Sequence, residues 1–292
     1  MKIGSIQVLA VMSVSRCLLV TFLVMCAMCG SDMATAIERP SRVVSLNLCA
    51  DQLLLRLADR DQIESLSPLA RDPAFSHLAD EAKGLPVNDG KGESILFSGA
   101  DLVVTGTFGQ QNRTALLKRQ GFDVQPLEPW RSLAHGREQI RLIAARLGHP
   151  DRGETLIAEI DEALARSENA VPMGRSILTY YRRGWVPASD SLVGEILRHL
   201  GFVPHQDALG VKRGGIVRLE SIVSAPPDYL LLDDDAGRAV DNGSALLIHP
   251  ALSDAVPPQR RLFVAGQLSI CGGPATPALI DSLAAQARAK MR

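Results

Sequence analysis

Arg42-Val-Val-Ser-Leu46, an apolar run of strand length, is followed closely by Asp51-Gln-Leu-Leu-Leu-Arg-Leu-Ala58, whose leucines fall at helical spacing. An apolar run without polar alternation suits a strand covered on both faces, the condition of a parallel sheet. The same strand-then-helix rhythm continues outward. Ile63 to Leu66, Asp101-Leu-Val-Val-Thr105 and Phe122-Asp-Val-Gln125 read as strands, with a helical stretch from Gln111 to Arg119 among them. Ser132 to Leu147 and Asp151 to Arg166 then form a long helical region broken only by Gly148-His-Pro150. In its second part Leu156, Ile160, Ala163 and Leu164 share one face. The alternation resumes with Ser176-Ile-Leu-Thr-Tyr180, a helix over Leu192 to Leu200, Tyr229-Leu-Leu-Leu232, Arg261-Leu-Phe-Val264 and a last helix from Pro277 to about Ala289. The expected fold is α/β: two lobes, each with a mainly parallel sheet flanked by helices, joined by one long rigid helix. The boundaries implied are 37–131 for the first lobe, 132–170 for the helical connector and 171–292 for the second lobe.

An internal echo accompanies this parse. Glu93-Ser-Ile-Leu-Phe-Ser-Gly-Ala-Asp101-Leu-Val-Val and Glu220-Ser-Ile-Val-Ser-Ala-Pro-Pro-Asp228-Tyr-Leu-Leu share Glu-Ser-Ile, an Asp at the same later position, and then a strand. Each glutamate is explained singly by the dipole of the short helix it opens. The recurrence of the phrase in both lobes is not. Two matched carboxylates suit docking onto two basic points of a symmetric partner.

With 292 residues, 46% of them hydrophobic, and a formal net charge of -1, the chain is neither disordered nor a basic nucleic-acid binder. Lys2 and Arg16 precede the apolar stretch Cys17 to Cys29, and Ala34-Thr35-Ala36 supplies a small-x-small cleavage site, so 1–36 reads as a signal peptide cleaved near Ala36. Met12 is an alternative start. Lipidation at Cys26 or Cys29 fits less well, because Met25 and Met28 stand where a small residue is expected. The apolar run falls short of the roughly 18–20 residues that span a bilayer. Cleavage removes Cys17, Cys26 and Cys29 and leaves Cys49 and Cys271 in an oxidising space. Neither zinc spacing nor a Cys/His cluster is present, so no metal site is expected.

The serine-elbow, phosphate-loop, zinc-protease and dinucleotide motifs are all missing, which favours binding over catalysis and implies no catalytic residue and no cofactor. Ligands of open parallel sheets sit beyond the carboxyl ends of the strands. The residues there include Asn47, Cys49, Arg71 and Trp130 in the first lobe, and Tyr181, Arg182, Trp185 and Cys271 in the second. Aromatic residues make up only 4% of the chain, which gives weight to their placement at strand ends. Aromatic walls with guanidinium groups suit a bulky polar ligand with flat or macrocyclic faces, and the arginines suit one carrying negative charge. Blander readings stand beside these. Either tryptophan can simply cover a loop end, Arg182-Arg183 can be a solvated pair, and Arg71 can pair with Asp72. Cys49 and Cys271 have three open readings: a disulfide, two soft groups facing the ligand, or unrelated buried thiols.

Taken together, these residues resemble the periplasmic binding proteins of ABC importers for iron–siderophore complexes, heme and vitamin B12. The resemblance rests on Arg42-Val-Val-Ser-Leu-Asn, on Glu93-Ser-Ile through Asp101-Leu-Val-Val, and on the mid-chain helix. It rests further on Gly184-Trp, Leu197-Arg-His-Leu-Gly201 and Leu219-Glu-Ser-Ile through Asp228-Tyr-Leu-Leu, so it covers nearly all of the chain after the signal. It implies a monomer that holds a metal chelate or corrinoid between its lobes. It also implies that Glu93 and Glu220 dock onto arginines of a permease dimer driven by ATPase subunits. A heme-specific member is expected to offer an axial Tyr or His, a role open to Tyr181. An exported, hydrolase-like α/β enzyme with its site at the same strand ends is the alternative.

Overall fold

The computed structural model describes residues 39–107, 109–172, 174–234 and 241–291. The signal-peptide reading of 1–36 lies outside them. Eight of the ten strands of the described residues form two four-stranded sheets, divided by chain order. The first is built from β1 (Val43–Ser45), β2 (Ile63–Ser65), β3 (Leu102–Gly106) and β4 (Val124–Leu127), in the order β2-β1-β3-β4. Every pairing in it is parallel, with Val43 opposite Leu102 and Val103 opposite Val124. The second contains β5 (Ser176–Thr179), β7 (Val203–Pro204), β9 (Tyr229–Asp233) and β10 (Arg261–Val264), in the order β10-β9-β5-β7, again all parallel. Central strands of such sheets are covered on both faces, and all five residues of β3 are buried.

The helices follow from the spacing of their apolar residues and from their caps. Helix α1 (Leu48–Leu57) starts where Asn47 Oδ1 accepts from the amides of Cys49 at 2.9 Å and Ala50 at 3.3 Å. The short α2 (Gly92–Ile95) precedes β3, and α3 (Gln111–Arg119) leads to β4. Helices α4 (Leu133–Arg146) and α5 (Pro150–Ser167) occupy the middle of the chain. Between them Gly148, at φ +80, takes the left-handed turn that lets the His149 amide reach back to Ala144 O at 2.8 Å, and Pro150 opens α5. The buried face of α5 is Gly153, Leu156, Ile157, Ile160, Ala163 and Ser167. Burying each of its large aliphatic side chains contributes roughly 1.5–3 kcal/mol. The face packs on α4 and on the terminal helix, and one hydrophobic cluster includes residues of both sheets and of α5.

The repeated phrase does the same structural work twice. Asp101 accepts from the Ser41 amide at 2.7 Å and the Arg42 amide at 3.0 Å, pinning the entry to β1 beside β3. Asp228 accepts from the Ser176 amide at 2.8 Å, pinning β5 beside β9. Each acidic side chain thus ties the strand it precedes to that strand's neighbour.

Two expectations shift. The strand expected from Phe122 runs instead over Val124–Leu127, because Phe122 closes the turn after α3 through a hydrogen bond to Leu117 O at 3.1 Å. The second half also carries an unexpected antiparallel pair, β6 (Trp185–Val186) with β8 (Gly215–Ile216). Its remaining helices are α6 (Leu192–His199), α7 (Leu219–Ser224), α8 (Asn242–Ala245), α9 (Pro250–Ala255), α10 (Gly266–Ser269) and α11 (Thr276–Lys290). No helix of the described residues is long and apolar enough to cross a membrane.

Candidate functional site

A cavity of about 320 Å³ opens beyond the carboxyl ends of the strands, lined from both sheet-bearing halves. From the first half come Asn47, Cys49 and Leu53 of the β1–α1 segment, Gly106 and Thr107 at the end of β3, Leu127 to Trp130 at the end of β4, and Gln139 of α4. From the second come Tyr181 after β5, Pro187, Ser191 to Val193 at the start of α6, and Ser269 to Gly272 at the end of α10. The lining therefore mixes apolar side chains with amides and hydroxyls. Among its described members Glu128 is the carboxylate, and no arginine is included.

Cys49 and Cys271 are joined in a disulfide with Cα atoms 5.2 Å apart, 222 residues apart in sequence. This replaces the reading of two free thiols offered to a ligand: the sulfurs are consumed in a covalent tie between the walls of the cavity. Gly106 permits the approach of the capping Asn47, since a Cβ there would lie 2.8 Å from Asn47 Nδ2.

Trp130 is half-buried and held between two glycine backbones. A Cβ on Gly136 of α4 would lie 2.2 Å from its Cε3, and a Cβ on Gly272 would lie 2.2 Å from its Cδ2. Such distances are far inside van der Waals contact, so only glycine fits at either position while the indole stays in place. Gln139 spans the same corner, donating to Glu128 O at 3.0 Å.

Tyr181 lines the cavity from the opposite half, and its amide donates to Trp185 O at 2.8 Å. Burial, reinforced by the negative charge of Asp233, pushes its phenol above the ordinary tyrosine value. It therefore presents a protonated hydroxyl at neutral pH. Arg183, at φ +59, and Gly184, at φ +74, make the sharp turn that follows. A Cβ on Gly184 would lie 2.5 Å from Val217 O, so the turn also depends on glycine.

The other candidates sit away from this lining. Arg71 donates to the carbonyls of Leu85 and Ala82 and so ties the segment after β2 together. Arg182 pairs with Asp241, whose carboxyl is lowered to about 2, chiefly by hydrogen bonds from Ser244 and further by Arg182. Trp185 stands opposite Ile216 in the β6–β8 pair and is 47% exposed. The counter-charge expected from Arg71 or Arg182 is thus committed elsewhere, because each guanidinium has a nearer acceptor on its own half. Glu93 and Glu220 are both exposed in the first turns of α2 and α7.

Sequence reasoning missed Gln139 and the Ser191–Val193 turn. Gln139 projects from a helix rather than a strand end and carries no local signal. Ser191 caps α6 by accepting from the Gly194 amide at 3.3 Å, a helix-start signature that was legible on its own.

The fold and the site together define a solute-binding architecture. The chain matches the periplasmic binding protein family over residues 43–256, and it belongs to that family. No curated protein matches it. Among solved structures it is similar to the periplasmic heme-binding protein RhuT from Roseiflexus sp. RS-1, with 23% identity, a TM-score of 0.70, and coverage of 86% of this chain and 99% of that one. The periplasmic heme-binding protein BhuT in complex with two hemes has 18% identity and a TM-score of 0.67, with 86% and 99% covered. The periplasmic vitamin B12-binding protein BtuF of Vibrio cholerae has 16% identity and a TM-score of 0.64, with 87% and 98% covered. At these identities the likeness is one of fold.

Proposed function

We propose that this chain is the exported cargo-binding component of an ABC importer, taking a heme, an iron–siderophore complex or a corrinoid into the cavity described above. The observation that carries the reading is the cavity itself, lined from both halves at the carboxyl ends of two parallel sheets. Membership of the periplasmic binding protein family and the cargoes named for RhuT, BhuT and BtuF support the choice of ligand class. In this reading 1–36 is removed after export, 37–131 and 171–292 are the lobes, and 132–170 is the stiff connector. Trp130 supplies an aromatic wall against the cargo, and Tyr181 meets it as a hydrogen-bond donor.

Loaded protein then presents Glu93 and Glu220 to a permease dimer. Their exposure at matching points of the repeated unit supports that role. The chain binds and hands over its cargo without chemistry, as a monomer. Titration of the purified protein with heme, ferric siderophores and cobalamin, followed by tryptophan emission and visible absorbance, tests the reading. Stoichiometric binding of one of them is expected, whereas no binding, or turnover of a substrate, overturns it. Replacing either glutamate by alanine should impair uptake and leave cargo affinity unchanged. Weakened affinity would remove the docking role.

A further inference from the structure

The disulfide and the Trp130 slot meet in one short loop. Cys271 is bonded to Cys49 in the first turn of α1, and the next residue, Gly272, lies flat against the indole. Gly136 on α4 packs on the same ring, where a Cβ would lie 2.2 Å from Cε3. Beyond the slot, Gly273 adopts φ +109, and a Cβ there would come within 3.2 Å of Leu53 Cδ2. Its amide donates to Thr276 Oγ1 at 3.0 Å, fastening the loop to the start of α11. The loop of the second half is therefore anchored to the first by a covalent bond on one side of Gly272 and by close packing on the other. Cys49, Trp130, Cys271 and Gly272 all face the same cavity.

We propose that the Cys49–Cys271 bridge is a positioning device for cargo: it presses the Gly272 backbone against Trp130 and so holds the aromatic wall of the cavity in one orientation. An indole packed closely on two backbones has one arrangement, whereas one with a single support turns about its two side-chain torsions and must be ordered again by each ligand. The bridge spans the halves, so the wall's geometry is a property of their junction rather than of either half. This inference rests on the cargo reading of the cavity only for its effect on binding. Its effect on Trp130 stands apart from that reading.

The chain has two tryptophans, so Trp185→Phe leaves Trp130 as the sole indole reporter. In that background, Cys49→Ser combined with Cys271→Ser should shift Trp130 emission to the red and raise its quenching by acrylamide. Affinity for whichever of heme, ferric siderophore or cobalamin binds the parent protein should fall about two- to ten-fold, the worth of one well-placed aromatic contact. Gly272→Ala, with the bridge intact, should give the same emission change and the same loss by driving the indole from its slot. A cooperatively folded bridge-free protein with unchanged Trp130 emission and quenching overturns the proposal. If that double variant does not fold, Gly272→Ala alone decides, and unchanged emission and affinity there overturn it equally. Should none of the three probes bind the parent, the cargo reading fails while the Trp130 spectra still settle the positioning role.

Discussion

Removing the bridge should also have a large effect on stability, and the structure sets its size. The cysteines are 222 residues apart, so the bond closes a loop through most of the described chain. In the chain-entropy account, a loop of that length restricts the unfolded ensemble by about 5 kcal/mol. Loosening of the Gly272–Trp130 contact when the bridge is removed weakens the native state as well, so this term should survive as a measured difference. For a protein of this size it corresponds to a fall in Tm of about 10–20 °C. Urea unfolding of Cys49→Ser combined with Cys271→Ser, beside the oxidised and reduced parent, is the assay. The reduced parent should coincide with the double variant. Both should show a larger m-value, because an unlinked chain exposes more surface on unfolding. A loss under about 1 kcal/mol would refute the reasoning, since it would mean that the unfolded chain gains almost no freedom when the tie is cut.

Two further outcomes follow from single contacts. Asp101 is exposed, and although partial desolvation raises its pKa, the amides of Ser41 and Arg42 and the Ser41 hydroxyl outweigh that and hold it below the ordinary carboxylate value. Asp101→Ala should cost about 1–2 kcal/mol. A carboxyl whose folded pKa is lowered stabilises fully above its unfolded value and loses that contribution as pH falls through the folded one. Tm measured against pH should therefore show the gap between parent and variant closing only in acid; a gap independent of pH would count against the carboxylate's role. Gly153 of α5 lets α4 approach so closely that a Cβ would lie 2.7 Å from Ala144 Cβ. Gly153→Ala should cost about 1–3 kcal/mol despite alanine's better helix propensity, and a rise in Tm would deny the close packing.

Much of the fold was legible because its signals are local. Apolar runs such as Arg42 to Leu46 and the helical spacing of Leu156, Ile160 and Ala163 reflect burial that any parallel α/β packing imposes. The echo around Asp101 and Asp228 was equally visible, and each carboxylate pins a neighbouring strand in the same way. The two-residue strands β6 and β8 left no trace, since two residues cannot display a period. The destinations of Arg71 and Arg182 were also hidden. A long flexible cation takes the nearest acceptor in space, and Leu85 O and Asp241 come close only after folding.

The sequence by itself determined the alternation of strands and helices, the repeated acidic phrase and the two cysteines that remain after residue 36, because each is written in neighbouring residues. Only the tertiary structure decided that those cysteines bond, that Trp130 lies between Gly136 and Gly272, and that one cavity draws its walls from both halves. The physical reason is that these contacts join segments far apart along the chain, and their geometry depends on how two separately patterned sheets are packed together.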